Sequence, residues 1–114
     1  MTIYHIASRT DWTDALTTGA YHVSTRGRTV EQEGFIHAST APQVAGVANA
    51  YYADAEDLVL LVIDPERLTA PLRYDAVPGA DEPFPHIYGP LNADAVTGTA
   101  ELRRDADGRY VFEG

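Results

Sequence analysis

The chain has 114 residues, of which 45% are hydrophobic and none is cysteine, so it predicts one domain (1–114) with a buried core and excludes disulfides, thiolate metal sites and a cysteine nucleophile. Its net charge of -9 disfavours broad binding to nucleic acids, but not a small anionic ligand held by a few arginines. The longest apolar run, 58–63, is too short to span a membrane, and a chain without cysteine fits a cytoplasmic location.

The N-terminal segment predicts a strand followed by a helix. Residues 3–7 are rich in strand-forming side chains, and no signal-peptide pattern is present there. In the helix, Thr10 is the expected N-cap and Gly19 the expected C-cap. Its buried face is predicted from apolar side chains at helical spacing: Trp12, Ala15 and Leu16.

The next segments predict a second strand and a second helix. Residues 20–24 predict a short extended piece, and the polar residues 25–34 predict a surface loop. A strand is expected over 35–39. Thr40 is then the expected N-cap of a helix, with Gln43 at the capping-box position. The buried face of this helix is predicted to carry Val44, Val47, Ala48 and Tyr51.

The second half of the chain predicts mainly strands. Residues 57–64 are apolar on both faces, which predicts a strand at the centre of a sheet. A further strand is expected over 72–77, about one helical turn over 92–96, and a closing hairpin from 97–104 and 109–113. Early helices followed by late strands indicate an α+β fold, without the steady alternation of a parallel sheet.

Three of the four histidines lie in short aromatic or apolar segments: His5, His37 and His86. Burying a histidine is costly unless both ring nitrogens find partners. A single case is usually a hydrogen-bonded core residue, and that interpretation stays open for each of them. His37 and His86 also have polar neighbours at short range, which favours a functional site.

The segment "GFIHAST" brings three kinds of side chain to one strand face. Because side chains alternate, Phe35, His37 and Ser39 share a face while Ile36 points away. An aromatic ring, an imidazole and a hydroxyl together suit a ligand with a flat base or a sugar. Alternatively, Ser39 simply begins the turn into the following helix.

The segment "FPHIYGPL", residues 84–91, predicts a rigid extended piece bracketed by prolines. His86 and Tyr88 are expected to point one way and Ile87 the other. A backbone that is already restricted costs little entropy to order, which favours a wall of a binding site. The alternative is a buried structural turn.

Other chemistries are less well supported by the sequence. A zinc site from His5, His37 and His86 would need three distant residues to converge without any metal-binding spacing, so no metal is predicted. A serine nucleophile at Ser39 lacks the "GxSxG" motif. The chain contains no lysine and no glycine-rich phosphate loop, which excludes Schiff-base and P-loop chemistry.

"GFIHAST", the apolar strand that ends at Asp64, and "FPHIYGPL" together resemble a small bacterial family, domain of unknown function 952. The resemblance covers nearly the whole chain. It implies an ADP-ribosyltransferase-like fold, which is a split, antiparallel-rich sheet with a cleft that holds NAD in related proteins.

A remoter similarity concerns RNA 2′-phosphotransferases, which share that cleft. His5 in "YHIA" and His37 and Ser39 in "EGFIHAS" match positions of their two motifs, whereas Glu33 stands where those enzymes have an arginine. ADP-ribosyltransferases also use a late catalytic glutamate. Glu101 is the only late strand glutamate in this chain.

The sequence therefore predicts a cleft for NAD or a related nucleotide or ribose phosphate, with ADP-ribosyl or glycosyl transfer or hydrolysis as the reaction. His37 and His86 are the catalytic candidates. The predicted ligand-binding residues are His5, Ser39, Tyr88, Phe35, Arg26 and Arg28. The alternative is a non-enzymatic domain that binds a metabolite or a protein. The sequence predicts no particular oligomeric state.

Overall fold

The computed structural model describes residues 2–112. The helices and strands, in chain order, are β1 Ile3–Ser8, α1 Arg9–Thr18, β2 Ala20–Tyr21, β3 Val23–Thr25, β4 Arg28–Thr29, α2 Val30–Glu33, β5 Ile36–His37, α3 Ala41–Tyr51, β6 Leu58–Ile63, β7 Leu72–Asp75, β8 Phe84–Ile87, β9 Leu91–Asn92, β10 Val96–Ala100, β11 Arg103–Arg104 and β12 Tyr110–Val111. Two short 3-10 turns, Pro65–Arg67 and Ala93–Ala95, lie between strands.

Two antiparallel three-stranded sheets organise the molecule. The first has the order β1–β6–β10, and the second has the order β5–β8–β7. Antiparallel pairs β2–β9, β3–β4 and β11–β12 complete the strand pairing. The fold is α+β, as predicted, and β6 occupies the predicted central position between two partners. No described helix is long and apolar enough to cross a membrane.

The neighbouring strands β1 and β6 bury side chains on both faces. On one face, Ile3 and Leu61 join Ile36 and Ile87, which β5 and β8 contribute from the second sheet. The opposite face packs against α3, and its buried members include Tyr4, Ile6, Val44, Ala48 and Leu60. The apolar face of the second sheet therefore packs against the core. Because side chains alternate, the polar side chains of its strands lie on the opposite face.

Helix α1 differs from its prediction at two places. Ser8, and not Thr10, is the N-cap, and its Oγ accepts a hydrogen bond of 3.1 Å from the Asp11 N–H. The helix begins earlier because β1 leads into it without a loop. Leu16 was expected to be buried but is 60% exposed, so only Ala15 of this face is fully buried. Gly19 is the C-cap, as predicted, with a φ of 88°.

The prediction of a surface loop over 25–34 is wrong. This segment holds the turn of the β3–β4 hairpin and the short helix α2. Thr29 and Gln32 form a capping box at the start of α2, and Val30 anchors the helix in the core. The same pattern of threonine followed by glutamine three residues later was recognised at α3 but overlooked here.

Helix α3 begins after Thr40, as predicted, and the Thr40 N–H donates to the Gln43 side chain at 3.0 Å. Its predicted buried face is confirmed except for Tyr51, which is 68% exposed. The strand expected over 35–39 is shorter. Only Ile36–His37 belongs to β5, and Ser39 forms an isolated bridge with Tyr4 of β1.

The late strands follow the predictions with one change. Strand β7, the helical turn Ala93–Ala95 and the closing β11–β12 hairpin are confirmed. The hairpin is shorter than expected because Val96–Ala100 pairs with β6 in the central sheet instead. Residue 113, the end of the predicted hairpin, lies outside the described residues.

Candidate functional site

The polar face of the second sheet brings two histidines together. His37 on β5 lies directly opposite His86 on β8, and His86 lies opposite Arg73 on β7. Asp75, two residues beyond Arg73, is on the same face because side chains alternate along a strand. Directly opposed side chains in a sheet are close enough to interact, so this register places an acid and two imidazoles side by side.

Hydrogen bonds link these three side chains into a row. The Nδ1 atom of His86 lies 2.8 Å from Oδ2 of Asp75, and its Nε2 atom lies 3.3 Å from Nδ1 of His37. The hydroxyl of Tyr88 donates to the same oxygen of Asp75. These two hydrogen bonds, the one from Tyr88 first, lower the pKa of Asp75. Asp75 is therefore an ionised carboxylate, which can accept hydrogen bonds but cannot donate them.

The carboxylate fixes the tautomers along the row. Nδ1 of His86 must carry the proton that it donates to Asp75, so with a single proton on the His86 ring its Nε2 accepts from Nδ1–H of His37. Nε2 of His37 is then an unprotonated acceptor, and no residue within 2–112 donates to it. Burial first, and then repulsion from the protonated forms of His5 and His86, lowers the pKa of His37 to about 4. His37 is thus neutral at physiological pH.

Phe35 covers the middle of this row. Its ring stacks on His86 with the ring centres 4.1 Å apart and the planes inclined by 19°. It also contacts the ring of Tyr88 at 5.6 Å. Stacking restricts the rotation of His86, and Phe35 adds an apolar surface next to the histidines.

His5 supports the row from the central sheet and has no ring nitrogen left for a ligand. Its Nδ1 donates to the backbone carbonyl of His37, so its Nε2 accepts from the hydroxyl of Tyr21 at 2.9 Å. Burial lowers the pKa of His5 to about 4. Neutral His5 therefore ties β1 to β5 and β2 inside the core.

A cavity of about 400 Å³ opens beside His37. Aromatic and apolar side chains form much of its wall, and polar groups from β3, the following turn and α2 complete it. Its lining residues are Ser24, Thr25, Arg26, Glu33, Phe35, His37, Val47, Tyr51, Tyr52, Val77 and His86. The volume is in the range of small-molecule sites.

The two charged side chains of the lining, Arg26 and Glu33, are each paired with a residue outside it. Arg26 donates to Asp54 at 2.8 Å and to the Tyr51 carbonyl at 3.1 Å, and its guanidinium lies 5.8 Å from the centre of the Tyr52 ring. Glu33 accepts from Arg28 at 2.7 Å. Both ion pairs are on the exposed side of the cavity, where solvent weakens them.

The structure brings four of the predicted site residues to this cavity: Phe35, His37, His86 and Arg26. Ser39, expected beside His37, is instead buried against Tyr4 and is not part of the lining. His5, Arg28 and Tyr88 also lie outside the lining, although each contacts a residue of the site. Glu101 lies elsewhere, 3.4 Å from Arg9.

The predicted set omitted several residues of the site. Asp75 was assigned to a strand without a role, although pairing 72–77 with 84–88 as a hairpin would have placed it next to His86. Glu33 was noted only as a departure from a motif. Ser24, Tyr51 and Tyr52 carried no signal in the sequence, because their position depends on how β3 and the end of α3 approach β5.

The histidines do not form a metal site. Within residues 2–112, no group of three or more His, Asp or Glu side chains is arranged to hold a metal ion. The physical reason is visible at His5, whose two ring nitrogens both have protein partners. The zinc alternative, which needed His5, His37 and His86 together, is therefore not supported by the arrangement.

Comparison with known proteins identifies relatives of the whole chain. Residues 6–99 match the model of a family described as "Protein of unknown function (DUF952)". The chain is similar to the crystal structure of protein CC0527 from Caulobacter crescentus, with a TM-score of 0.83 and 35% identity, over 97% of this chain and 94% of that one. It is also similar to the solution NMR structure of CC0527, with a TM-score of 0.76 and 37% identity, over 95% and 90% of the two chains. No curated protein matches the sequence.

The family match spans most of the chain, and it includes both segments, "GFIHAST" and "FPHIYGPL", that carry the two histidines of the row. The similarity to the solved structures extends over nearly all of both chains at more than 30% identity. The chain therefore belongs to the DUF952 family.

Proposed function

We propose that the cavity binds NAD or a related nucleotide through its ribose and one of its bases, and that His37 acts as a general base at the glycosidic carbon. The observation that carries this proposal is the state of His37. Its ring is held by His86 and Asp75, and its Nε2 is an acceptor without a protein donor at the wall of a cavity of about 400 Å³.

The walls of the cavity suit a flat heterocycle. Phe35 and Tyr51 both contribute aromatic surface to the lining, and Tyr51 is 68% exposed, so its ring is accessible to a ligand. The resemblance of the sequence to ADP-ribosyltransferase-like domains supports the same class of ligand. Arg26 supplies the positive charge for a phosphate if it exchanges Asp54 for the ligand.

The proposed chemistry uses the neutral imidazole. In hydrolysis of NAD, the bond from ribose C1′ to the nicotinamide nitrogen breaks and its electron pair stays with nicotinamide. The water oxygen bonds to C1′, and Nε2 of His37 accepts the proton that the water loses. The hydrogen bond from His37 Nδ1–H to His86 stabilises the imidazolium that forms, and Asp75 stabilises it through His86.

A second candidate is a domain that binds such a ligand without converting it. The pairing of Glu33 with Arg28 favours this reading, because it neutralises the carboxylate at the cavity that would stabilise a positively charged sugar in the transition state. Glu101, the late glutamate, lies away from the cavity beside Arg9.

One experiment separates the two candidates. The purified protein is incubated with NAD, nicotinamide release is followed, and thermal shifts are measured with NAD, ADP-ribose and cyclic nucleotides. The general base predicts release that is lost in His37→Gln, since glutamine can accept a hydrogen bond but cannot take up the proton. His22→Ala is the control, because His22 is exposed and its side chain bonds only to Glu31 among the described residues.

The outcomes differ for each candidate. Release that disappears in His37→Gln while the thermal shift remains supports the enzyme. A thermal shift without release in the wild type supports the binding domain. If no nucleotide shifts the melting temperature and no nicotinamide is released, the proposed ligand class is wrong.

A further inference from the structure

One buried polar group at the cavity has no protein partner. The side chain of Ser24 is on β3, its residue is only 1% exposed, and it contributes to the cavity lining. Among residues 2–112, the Ser24 hydroxyl is a buried polar atom without a hydrogen bond. Buried hydroxyls in folded proteins are normally satisfied, so a group of this kind needs an explanation.

The backbone at Ser24 explains why its side chain is directed away from the sheet pairing. Strand β3 pairs with β4 through Val23 opposite Thr29 and Thr25 opposite Arg28, and the register shifts between these two pairs. Ser24 is therefore the extra residue of a bulge. Bulges redirect a side chain and recur next to binding sites.

The second polar feature of the cavity complements this hydroxyl. Nε2 of His37 accepts only, whereas a serine hydroxyl can both donate and accept. A phosphate or a carboxylate accepts only, so it satisfies Ser24 but has no proton for His37. A ligand with neighbouring hydroxyls satisfies both, because one hydroxyl donates to His37 and another pairs with Ser24.

We infer that Ser24 is a specificity-determining residue that hydrogen-bonds a hydroxyl of the terminal ribose of the ligand, the one not attached to adenine. This inference rests on the proposed nucleotide site. It adds that the site recognises the sugar of the ligand. Ser24 makes no contribution to the chemical step. Its hydroxyl is left without a protein partner in the folded chain and gains one when the sugar enters the cavity.

The test compares two ligands that differ by the terminal ribose. Binding of ADP-ribose and of ADP is measured by calorimetry for the wild type, Ser24→Ala and Thr99→Ala. The wild type should prefer ADP-ribose by more than about tenfold, because the terminal ribose bonds both His37 and Ser24. Ser24→Ala should lower that preference by about tenfold, which corresponds to about one neutral hydrogen bond, and should bind ADP as the wild type does. Thr99, exposed on β10 and outside the cavity lining, is the control.

A ligand-free measurement accompanies the binding data. Because the Ser24 hydroxyl makes no hydrogen bond to the described residues, Ser24→Ala should shift the thermal midpoint by less than about 4 °C. A larger drop would mean that the hydroxyl holds the fold together, and this would overturn the inference.

The binding outcomes distinguish a failure of the nucleotide site from a failure of the role of Ser24. If the wild type binds neither ligand, the proposed nucleotide site fails and the role of Ser24 fails with it. If the wild type binds ADP-ribose but Ser24→Ala keeps the same preference over ADP, the site stands and the role assigned to Ser24 is wrong. Equal binding of both ligands by the wild type also overturns the role of Ser24.

Discussion

His86 lies 2.8 Å from the carboxylate of Asp75 through one ring nitrogen and 3.3 Å from His37 through the other. The carboxylate of Asp75 accepts a hydrogen bond, so it requires the ring proton of His86 to be on Nδ1. The other nitrogen of that ring, Nε2, is then an acceptor. The carboxylate of Asp75 thus determines the tautomer of His37, with the proton on Nδ1 and none on Nε2. This relationship leads to the first prediction.

Replacing Asp75 by asparagine should disturb the tautomers of both histidines. The asparagine side chain has nearly the same shape, but it can donate as well as accept, so it no longer requires a proton on Nδ1 of His86. Nicotinamide release should fall by about tenfold or more. Long-range ¹H–¹⁵N spectra of the imidazoles report the tautomers directly.

Tyr88→Phe is the matched control for Asp75→Asn. It removes the other hydrogen bond to the Asp75 carboxylate but leaves the bond from His86 in place. The His86 tautomer should therefore stay unchanged. Identical spectra for the wild type and Asp75→Asn would contradict the assigned proton positions.

The stability of the protein should decrease in mild acid because of His5. The pKa of His5 is about 4 in the folded chain and near 6.5 in the unfolded chain, so the unfolded chain binds more protons between these values. The contribution is fully present above about pH 6.5 and is lost as the pH falls towards 4. Each such histidine adds roughly 1 kcal/mol per pH unit to the slope of the unfolding free energy.

Urea unfolding at pH 5, 6 and 7 checks this expectation. His5→Gln should lower the overall stability and also reduce the pH slope by roughly 1 kcal/mol per unit. Thr99→Ala, which removes no ionisable group, should leave the slope unchanged. A slope that is the same in His5→Gln and in the wild type would show that His5 does not titrate as described.

Phe35 should matter through its ring and not only through its volume. It stacks on His86 at 4.1 Å, a contact that is worth about 1 kcal/mol between aromatic side chains. Both Phe35→Leu and Phe35→Ala should therefore lose stability and ligand affinity. If Phe35→Leu behaves as the wild type in urea unfolding and in the nucleotide thermal shift, apolar bulk alone is sufficient and the stacking argument fails.

Gly89, at the end of the proline-bracketed segment, should not tolerate a side chain. A Cβ at this position would lie 2.9 Å from Cβ of Ala70, and its φ of +156° adds strain. Gly89→Ala should lower the unfolding free energy by about 1–3 kcal/mol. Gly46→Ala should do the reverse and add about 0.5–1 kcal/mol, because Gly46 is inside α3 with open space around it. Denaturant unfolding of both variants measures the difference in sign.

The pair of Arg26 and Asp54 should compete with a phosphate-bearing ligand. Arg26 lines the cavity but donates to Asp54 at 2.8 Å. Asp54→Asn should raise the affinity for ADP-ribose by about threefold, and Arg26→Gln should lower it by about tenfold at low salt. Calorimetry at two salt concentrations tests both variants. Weaker binding in Asp54→Asn would show that the pair itself forms part of the site.

The parts of the fold that follow from local patterns were predictable from the sequence. The central strand β6, the start of α3 at Thr40 and the cap at Gly19 each depend on a few adjacent residues. Helix α2 is equally local but was not predicted, because the two glycines and two arginines of the segment 25–34 favoured a loop over the capping pattern at Thr29.

The site was predictable only in part because it depends on distant pairing. The approach of His37 to His86 joins segments 49 residues apart, and the sequence indicates both segments but not their register. Ser39 was expected on the same face as His37 because side chains alternate along a strand. Strand β5 ends at His37, so the alternation does not extend to Ser39. The position of Ser24 requires a bulge that no residue pattern announced.

His5 works as a clamp that joins three strands through one ring, since it bonds the main chain of β5 and the side chain of Tyr21 while belonging to β1. A variant at this position would release the backbone that carries His37. Failure of a His5 variant to bind a nucleotide would therefore report a displaced strand, and it would not by itself assign the ligand a contact with His5. In a related protein with a histidine at this position of β1, loss of ligand binding on mutation would likewise not show that the histidine contacts the ligand.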